Sequence, residues 1–154
     1  MGQFFQHSDQ LLPVLSSQRK NKIVVFTNGC FDLLHVGHVR YLQEAKSNGD
    51  LLVVGVNSDA SVKRLKGADR PLQTEVDRIE ILASLQCVDF VTVFTEDTPE
   101  NLIKLVRPDV LVKGGDWSVD KIVGANFVQS YGGKVKTLQF VNGRSTTLLV
   151  EKMK

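Results

Sequence analysis

Hydrophobic residues along the chain fall into two patterns, short continuous runs and longer segments with helical spacing. Continuous runs rich in β-branched residues are typical of strands buried in a parallel sheet. They predict strands at 23–27, 51–56, 90–94, 110–112 and 135–138. Apolar residues three or four positions apart, and helix-start signals, predict helices at 36–48, 75–85, from Thr98-Pro99 onward, within 119–131 and at 145–152. This alternation predicts an α/β fold with a Rossmann-like, doubly wound, five-stranded parallel sheet.

The first 22 residues precede this pattern. We interpret residues 1–22 as an N-terminal extension with a short helix over 8–18, in which Ser8 is the N-cap and Pro13 lies inside the helix. Residues 23–154 then form one domain, which suits a chain of 154 residues.

Composition narrows the class of protein. The net charge of +2 is too small for a general nucleic-acid binder, so any positive potential must come from local clusters. No apolar run approaches the roughly 18 residues of a membrane-spanning helix, and the N-terminus lacks a signal-peptide pattern. The two cysteines have no paired spacing and are interpreted as free thiols. We therefore expect a cytoplasmic protein without membrane or nucleic-acid partners.

A histidine pair flanks a glycine directly after the first predicted strand, as His35-Val36-Gly37-His38. A helix N-terminus there offers free N–H groups, and Gly37 lets a ligand approach the backbone. Histidines three residues apart share one face of the first turn, where imidazoles can donate hydrogen bonds to phosphate oxygens. The alternatives are structural capping and a zinc site, but no further ligand stands at zinc spacing. The pattern favours phosphate binding.

The turn that leaves the same strand is Asn28-Gly29-Cys30-Phe31-Asp32. We expect Gly29 to adopt an unusual backbone angle and Phe31 to lie in the core. No base is paired with Cys30, so a structural role is favoured over that of a nucleophile.

Basic residues are concentrated in a polar stretch from residue 57 to about 74, which contains Lys63, Arg64, Lys66 and Arg70. Such a cluster can be a solvated surface. Because it follows the second strand at the edge where parallel sheets bind ligands, it can also be a flexible loop that closes over a triphosphate.

A glycine pair follows the fourth strand in Lys113-Gly114-Gly115-Asp116-Trp117. The glycines would let a ligand reach the backbone. Trp117 can stack on a base or pack in the core, and Asp116 can bind ribose or a metal-bound water, or cap the turn.

A second helix N-terminus rich in hydrogen-bond donors follows Gly143 as Arg144-Ser145-Thr146-Thr147. Ser145 can simply cap the helix, or the segment can bind phosphate oxygens. Two anion-binding helix starts in one α/β domain are more informative than either alone.

In this order the segments resemble the cytidylyltransferase-like nucleotidyltransferases, whose signature is H-x-G-H after the first strand and a Ser-Thr-Thr-type motif before the last helix. Within that group, the ordered set is similar to the adenylyltransferase domains of bacterial ADP-heptose synthesis. The segments that carry this similarity are 27–32, 56–61, 64–67, 70–71, 96–99, 111–116 and 145–147.

The resemblance implies transfer of AMP from ATP, with Mg²⁺, to the sugar phosphate D-glycero-β-D-manno-heptose 1-phosphate, giving ADP-heptose for the lipopolysaccharide core and pyrophosphate. It also implies a homodimer and a sugar kinase acting earlier, as a separate protein or a preceding domain. The residues to which it assigns catalytic roles are His35, His38, Lys63 and Lys66, and those for substrate binding are Arg70 and Arg78. The nucleotide-binding residues that it implies are Asn28, Gly29, Cys30, Phe31, Asp32, Gly37, Lys113, Gly114, Asp116, Trp117, Arg144, Ser145, Thr146 and Thr147.

One segment departs from the wider family, which carries Arg-Thr-x-Gly-Ile-Ser where this chain has Phe140-Val141-Asn142-Gly143-Arg144-Ser145. This makes a glycerol phosphate cytidylyltransferase less expected. Two alternatives stay open: cytidylyl or adenylyl transfer to another small phosphate (glycerol 3-phosphate, ethanolamine phosphate or a flavin phosphate), and a nucleotide-binding module without turnover.

Overall fold

A computed structural model of the protein describes residues 1–139, Gly143 and residues 145–154. Within these residues the strands are β1 (Gln3–Phe5), β2 (Val24–Gly29), β3 (Leu51–Asn57), β4 (Phe90–Phe94), β5 (Val110–Gly114) and β6 (Lys134–Leu138). The helices are α1 (Ser8–Gln18), α2 (Val36–Lys46), α3 (Asp59–Lys66), α4 (Glu75–Ala83), α5 (Glu100–Val106), α6 (Ala125–Ser130) and α7 (Thr146–Lys152), with a 3₁₀ turn at Val119–Lys121. None of the described helices is long and apolar enough to cross a membrane.

The strands form one parallel sheet in the order β1-β4-β3-β2-β5-β6. From β2 the chain proceeds outward through β3 and β4, and then returns to place β5 on the other side of β2. The strand order therefore reverses between β2 and β5. In open α/β sheets, ligands bind beyond the carboxyl ends of the strands at this switch point.

Helices cover both faces of the sheet, as the doubly wound prediction requires. One buried cluster joins the sheet to α2 and α4 through residues such as Leu42 and Leu82. A second cluster joins the opposite face to α1, α5 and α6 through residues such as Leu15 and Ile103. Because β2 and β3 contribute side chains to both clusters, their sequences are continuously apolar.

The prediction of five strands was one short. Residues 1–22, predicted as an extension with a helix, also contribute β1, which pairs with β4 at the edge of the sheet. This strand has three residues and is largely exposed, so it lacks a continuous apolar run. The predicted helix over 8–18 is confirmed, but its N-cap is His7 and not Ser8.

The basic stretch, interpreted as a solvated surface or as a flexible loop, forms the helix α3 in its first part. Ser58 caps this helix by accepting a hydrogen bond from the Ser61 N–H at 3.1 Å. Lys63 and Lys66 lie near its carboxyl end, where positive charge suits the helix dipole. The helix has little apolar periodicity to reveal it, since Val62 is its one fully buried large apolar side chain.

Candidate active site

A cavity of about 210 Å³ opens at the switch point, between the carboxyl ends of β2 and β5. Its lining consists of Asn28, Gly29, Phe31, His38, Tyr41, Lys113 and Gly114. A larger cleft of about 390 Å³ lies near the β1 and β4 edge, but none of the predicted site residues lines it. The candidate site is therefore the smaller cavity, where three of the predicted segments meet.

In the turn 28–32, which we call the signature turn, the positive φ falls on Phe31 and not on Gly29, where the residue type would permit it. Phe31 has a φ of +46°, which is unusual for an aromatic residue, whereas Gly29 ends the regular strand β2. Gly29 is needed for a different reason: a Cβ there would lie 2.9 Å from the Phe31 ring. The ring is buried, as predicted, and also forms one wall of the cavity.

A buried carboxylate holds this turn against the segment between α3 and α4. The Asp32 side chain is 1% exposed and accepts hydrogen bonds from Arg70 Nε at 2.6 Å, Leu72 N at 2.8 Å and Gln73 N at 3.0 Å. Burial alone would raise the pKa of Asp32, but these hydrogen bonds and the Arg70 charge outweigh it and lower the pKa. The carboxylate is thus occupied by protein donors, so the geometry favours an anchoring role over nucleotide contact.

The two histidines of the signature stack on each other at the start of α2, with ring centroids 3.9 Å apart. His35 is the N-cap, and its Nδ1 accepts the Gly37 N–H at 3.1 Å. His38 Nδ1 in turn accepts the His35 N–H at 3.4 Å. An imidazole nitrogen that accepts a hydrogen bond carries no proton, so in both rings the proton is on Nε2. At His38, helix capping and phosphate binding are therefore compatible, because they use opposite nitrogens of its ring.

His38 is held in its neutral form. Burial is the main cause, and Coulombic interactions with His35 and Lys66 add to it, lowering the pKa of His38 to about 4. The Phe31 ring packs edge-on against it at a centroid distance of 5.4 Å. At neutral pH the His38 ring is thus a fixed, uncharged Nε2–H donor in the wall of the cavity.

Lys113 enters the same cavity from the end of β5. Burial lowers the pKa of its ammonium group, and the Cys30 thiol partly opposes this. Among the residues that the structure describes, none forms a hydrogen bond or ion pair with the Lys113 side chain. The cavity therefore combines a neutral imidazole donor with a half-buried, unpartnered ammonium group, a combination suited to an anion.

The two predicted substrate-binding arginines occupy different environments. Arg78 is fully buried and donates to Cys30 O at 2.6 Å, Asp59 Oδ1 at 2.8 Å and Gln73 O at 3.1 Å. Its guanidinium group is thus committed to the fold. Arg70 uses Nε for Asp32, while its Nη2 atom is buried without a hydrogen-bond partner in the described structure. Of the two, Arg70 is the one with a donor left for a substrate.

The Ser-Thr-Thr segment forms a hydrogen bond with the residue that follows the signature turn. Thr146 Oγ1 donates to Leu33 O at 3.1 Å, which brings the start of α7 beside the turn. Ser145 caps α7, as predicted, by accepting the Leu148 N–H at 3.1 Å. Thr147 is exposed, and Arg144 lies outside the described residues.

Other predicted site residues do not line the cavity. Lys66 is close enough to His38 to influence it electrostatically, and Lys63 lies on the same helix one turn earlier, exposed to solvent. Gly37 is buried in the first turn of α2, and Asp116 is exposed. Trp117 is 50% exposed, so it does not pack in the core and is accessible for stacking.

Two residues were missed by the sequence analysis. Tyr41 lines the cavity and shares a hydrogen bond of 2.7 Å with the Thr27 hydroxyl, and burial raises its pKa to about 12. It stands three positions after His38 on α2, so helical spacing could have revealed it. Asp59, the partner of Arg78, could not be found because α3 itself was not predicted.

Comparisons with known proteins give one family and several relatives. The Cytidylyltransferase-like family model matches residues 26–152. The chain is 58% identical over 147 residues to the bifunctional protein HldE of Geotalea uraniireducens, covering 95% of this chain and 30% of that protein. It is 59% identical over 146 residues to the bifunctional protein HldE of Geobacter sulfurreducens, covering 94% and 30%. The chain thus spans about a third of the length of these relatives.

Two solved structures are also similar to this chain. A lipopolysaccharide core biosynthesis protein from Thermoplasma volcanium superposes with a TM-score of 0.62 and 32% identity, over 78% of this chain and 97% of that one. Pantoate-beta-alanine ligase from Francisella tularensis, solved in complex with beta-gamma ATP and beta-alanine, superposes with a TM-score of 0.65 over 96% of this chain and 69% of that one. Its identity is 15%, so this second likeness shows the fold alone.

Proposed function

Because the chain belongs to the cytidylyltransferase-like family of nucleotidyltransferases, we propose that it transfers AMP from ATP to D-glycero-β-D-manno-heptose 1-phosphate. The products are ADP-heptose and pyrophosphate. The observation that carries the proposal is the meeting of His38 and Lys113 in one cavity at the switch point of the sheet. A phosphoryl group bound there would contact an imidazole N–H and an ammonium group at once.

The reaction needs no nucleophile from the protein. An oxygen of the sugar phosphate, already ionised at neutral pH, attacks the α-phosphorus of ATP and forms a new P–O bond. The bond from the α-phosphorus to the bridging oxygen breaks, and its electron pair leaves with pyrophosphate. The chain's own task is to hold the two substrates in line and to stabilise the added negative charge. In this scheme His35, His38, Lys63 and Lys66 contact the triphosphate, and Ser145 to Thr147 bind its phosphates.

The residues proposed for the nucleotide itself lie around the cavity. Asn28 and Gly29 at the end of β2, and Gly114 at the end of β5, line it directly. Trp117 and Asp116 follow on the next segment and are exposed, which suits contact with the base and ribose. Arg144 retains its proposed role in nucleotide binding.

Mg²⁺ is proposed to accompany ATP. In the described part of the chain, no three His, Cys, Asp or Glu side chains cluster closely enough to hold a metal ion. We therefore propose that the Mg²⁺ ion is bound mainly by the phosphate oxygens of ATP and not by a cluster of protein side chains. When bound, Mg²⁺ neutralises charge on the triphosphate and on the leaving pyrophosphate.

The acceptor phosphate is proposed to bind Arg70. Its Nη2 atom is buried and unpartnered, which is unfavourable unless a ligand supplies an acceptor. Asp32 fixes the other side of the guanidinium group, so the free donor is held in a defined direction. A phosphate oxygen of the sugar would complete the hydrogen bonding of this side chain.

The identity of the sugar rests on the relatives. Proteins named HldE are 58–59% identical to nearly the whole chain, and the Thermoplasma volcanium structure is titled a lipopolysaccharide core biosynthesis protein. The sugar 1-phosphate is proposed to come from a sugar kinase, acting as a separate protein or as a preceding domain. We further propose that the enzyme acts in the cytoplasm, where ATP is available, as a homodimer.

The test measures pyrophosphate release for every combination of a nucleotide and an acceptor. The nucleotides are ATP, CTP and GTP, and the acceptors are heptose 1-phosphate, glycerol 3-phosphate, ethanolamine phosphate and a flavin phosphate. We expect release with ATP and heptose 1-phosphate, and ADP-heptose as the product by mass spectrometry. A His38→Ala protein purified in parallel reports any contaminating activity. Pyrophosphate release with a different pair of substrates would show that the proposed acceptor or the proposed nucleotide is wrong. Tight ATP binding without release in any combination would indicate a nucleotide-binding module without turnover.

A further inference from the structure

The half-buried ammonium group of Lys113 has no counter-charge in the described structure. Its side chain lines the cavity at the switch point together with His38, Tyr41 and Phe31. No described residue forms an ion pair or hydrogen bond with it. A charged group in such a place is unfavourable for the free protein, because desolvation is not repaid by a partner. This pattern is expected where a bound anion supplies the missing charge.

The size of the cavity indicates which part of a substrate enters it. Its volume of about 210 Å³ lies below the range of roughly 300–1,000 Å³ that is usual for pockets holding whole small molecules. An intact nucleotide therefore extends beyond it. Gly114 at the end of β5 lines the cavity without a side chain, so a group can approach the backbone there.

We propose that Lys113 is a catalytic residue, whose ammonium group binds the same reacting phosphoryl group as the Nε2–H of His38, and that it does more than line the nucleotide pocket. This inference rests on the proposed function. His38 provides a neutral donor at fixed geometry, and Lys113 provides full charge. Together they stabilise the negative charge that builds on the α-phosphoryl oxygens as the acceptor oxygen attacks and pyrophosphate leaves. Neither residue transfers a proton in this step.

Because Lys113 has no described protein partner, its replacement should affect stability and catalysis in opposite ways. Replacing it with methionine keeps a similar length and removes the charge. In the free protein this relieves an unpartnered buried charge, so the melting temperature stays the same or rises. In the enzyme it removes an interaction that strengthens in the transition state, so kcat falls by about 10²- to 10³-fold. A residue that merely packs in the wall would lower stability and leave kcat nearly unchanged.

The experiment compares the wild type with Lys113→Met and Lys113→Arg, and uses Lys20→Met as a matched control. Lys20 is exposed and precedes the amino end of β2, whereas the cavity lies at the carboxyl end of this strand. We expect the large loss of kcat in Lys113→Met together with a higher KM for ATP, and partial recovery of both in Lys113→Arg. Wild-type turnover should fall as pH rises through the lowered pKa of Lys113, and this limb should move to higher pH in Lys113→Arg, because guanidinium stays protonated.

A double-variant cycle tests whether the two side chains share one phosphoryl group. If they do, His38→Ala combined with Lys113→Met loses less activity than the product of the two single losses. Losses that multiply fully would overturn the shared contact. Turnover of Lys113→Met within about threefold of wild type, or a clear drop in its melting temperature, would overturn the catalytic role.

Binding of inorganic tripolyphosphate separates this inference from the proposed function. In the wild type and in Lys20→Met we expect it to raise the melting temperature, and in Lys113→Met we expect that shift to be largely lost. If the wild type releases no pyrophosphate from any substrate pair, the proposed function fails, while this binding measurement still decides whether Lys113 holds an anion. An equal shift in all the variants would refute the site.

Discussion

The lowered pKa of His38 predicts a dependence of stability on pH. The unfolded chain binds a proton on this ring below about pH 6.5, whereas the folded protein does so only below about pH 4. Between these values the unfolded state holds the extra proton, so the free energy of unfolding decreases as pH falls. The contribution of His38 is complete above about pH 6.5 and is lost progressively toward pH 4.

The magnitude follows from the two pKa values. A change from 6.5 to about 4 corresponds to roughly 3 kcal/mol at about 1.4 kcal/mol per pH unit. The ring is only half-buried, and solvent screens part of the effect, so we expect about 1–2 kcal/mol. Carboxylates titrate in the same range, and the prediction therefore concerns the difference between the wild type and a variant that lacks this ring.

Urea denaturation between about pH 7 and pH 4.5 measures that difference for the wild type, His38→Gln and His7→Gln. The glutamine at 38 can still accept the His35 N–H through its amide oxygen, so the local hydrogen bond is retained. His7 is exposed at the start of α1 and serves as the matched control. We expect the wild type and His7→Gln to lose about 1–2 kcal/mol more than His38→Gln over this range. Equal losses in all three proteins would refute the neutral, buried state of His38.

Four further variants test the assignments at the site. His35→Ala and His38→Ala should each lower kcat by at least about 10²-fold with little loss of fold, as expected for one charge-stabilising donor; near-wild-type pyrophosphate release in both would contradict the mechanism. Arg70→Lys should raise the KM for the acceptor more than the KM for ATP, because lysine cannot bind Asp32 and a phosphate with two separate nitrogens; equal effects on both KM values would argue against this contact. Arg78→Met should lower the free energy of unfolding by about 3–5 kcal/mol in urea denaturation, since three part-buried acceptors lose a fully buried donor, and a loss below about 1 kcal/mol would contradict its structural role.

The sheet and the main motif could be predicted because their signals are local. Strands buried on both faces must be continuously apolar, and the runs at 51–56 and 90–94 match β3 and β4 to within a residue. The segment His35-Val36-Gly37-His38 could be placed at a helix start because it directly follows such a run. Lys113 could be placed at the same edge for the same reason.

The features that were missed depend on contacts between distant residues. The α3 helix is stabilised by the Ser58 cap, and the Asp59–Arg78 ion pair holds its start, so hydrophobic spacing gave little indication of it. Likewise, nothing in the turn 28–32 shows that Asp32 will receive donors from residues 38 to 41 positions later. Phe31 in the same turn has a φ of +46°, and no turn signal in the sequence indicates it.

Four charged side chains near the signature turn can be sorted by their partners. Arg78 and Asp32 are buried, and each meets three protein donors or acceptors, so their charges are balanced in the free protein. Arg70 has one buried nitrogen without a partner, and Lys113 has no described partner at all. Substituting Arg78 or Asp32 should therefore destabilise the fold directly, whereas neutralising Lys113 should mainly impair anion binding and turnover. Arg70 serves both purposes, because its Nε also balances the charge of Asp32. This difference follows from the cost of unpaired buried charge, and it distinguishes the residues that build the site from those that bind its substrates.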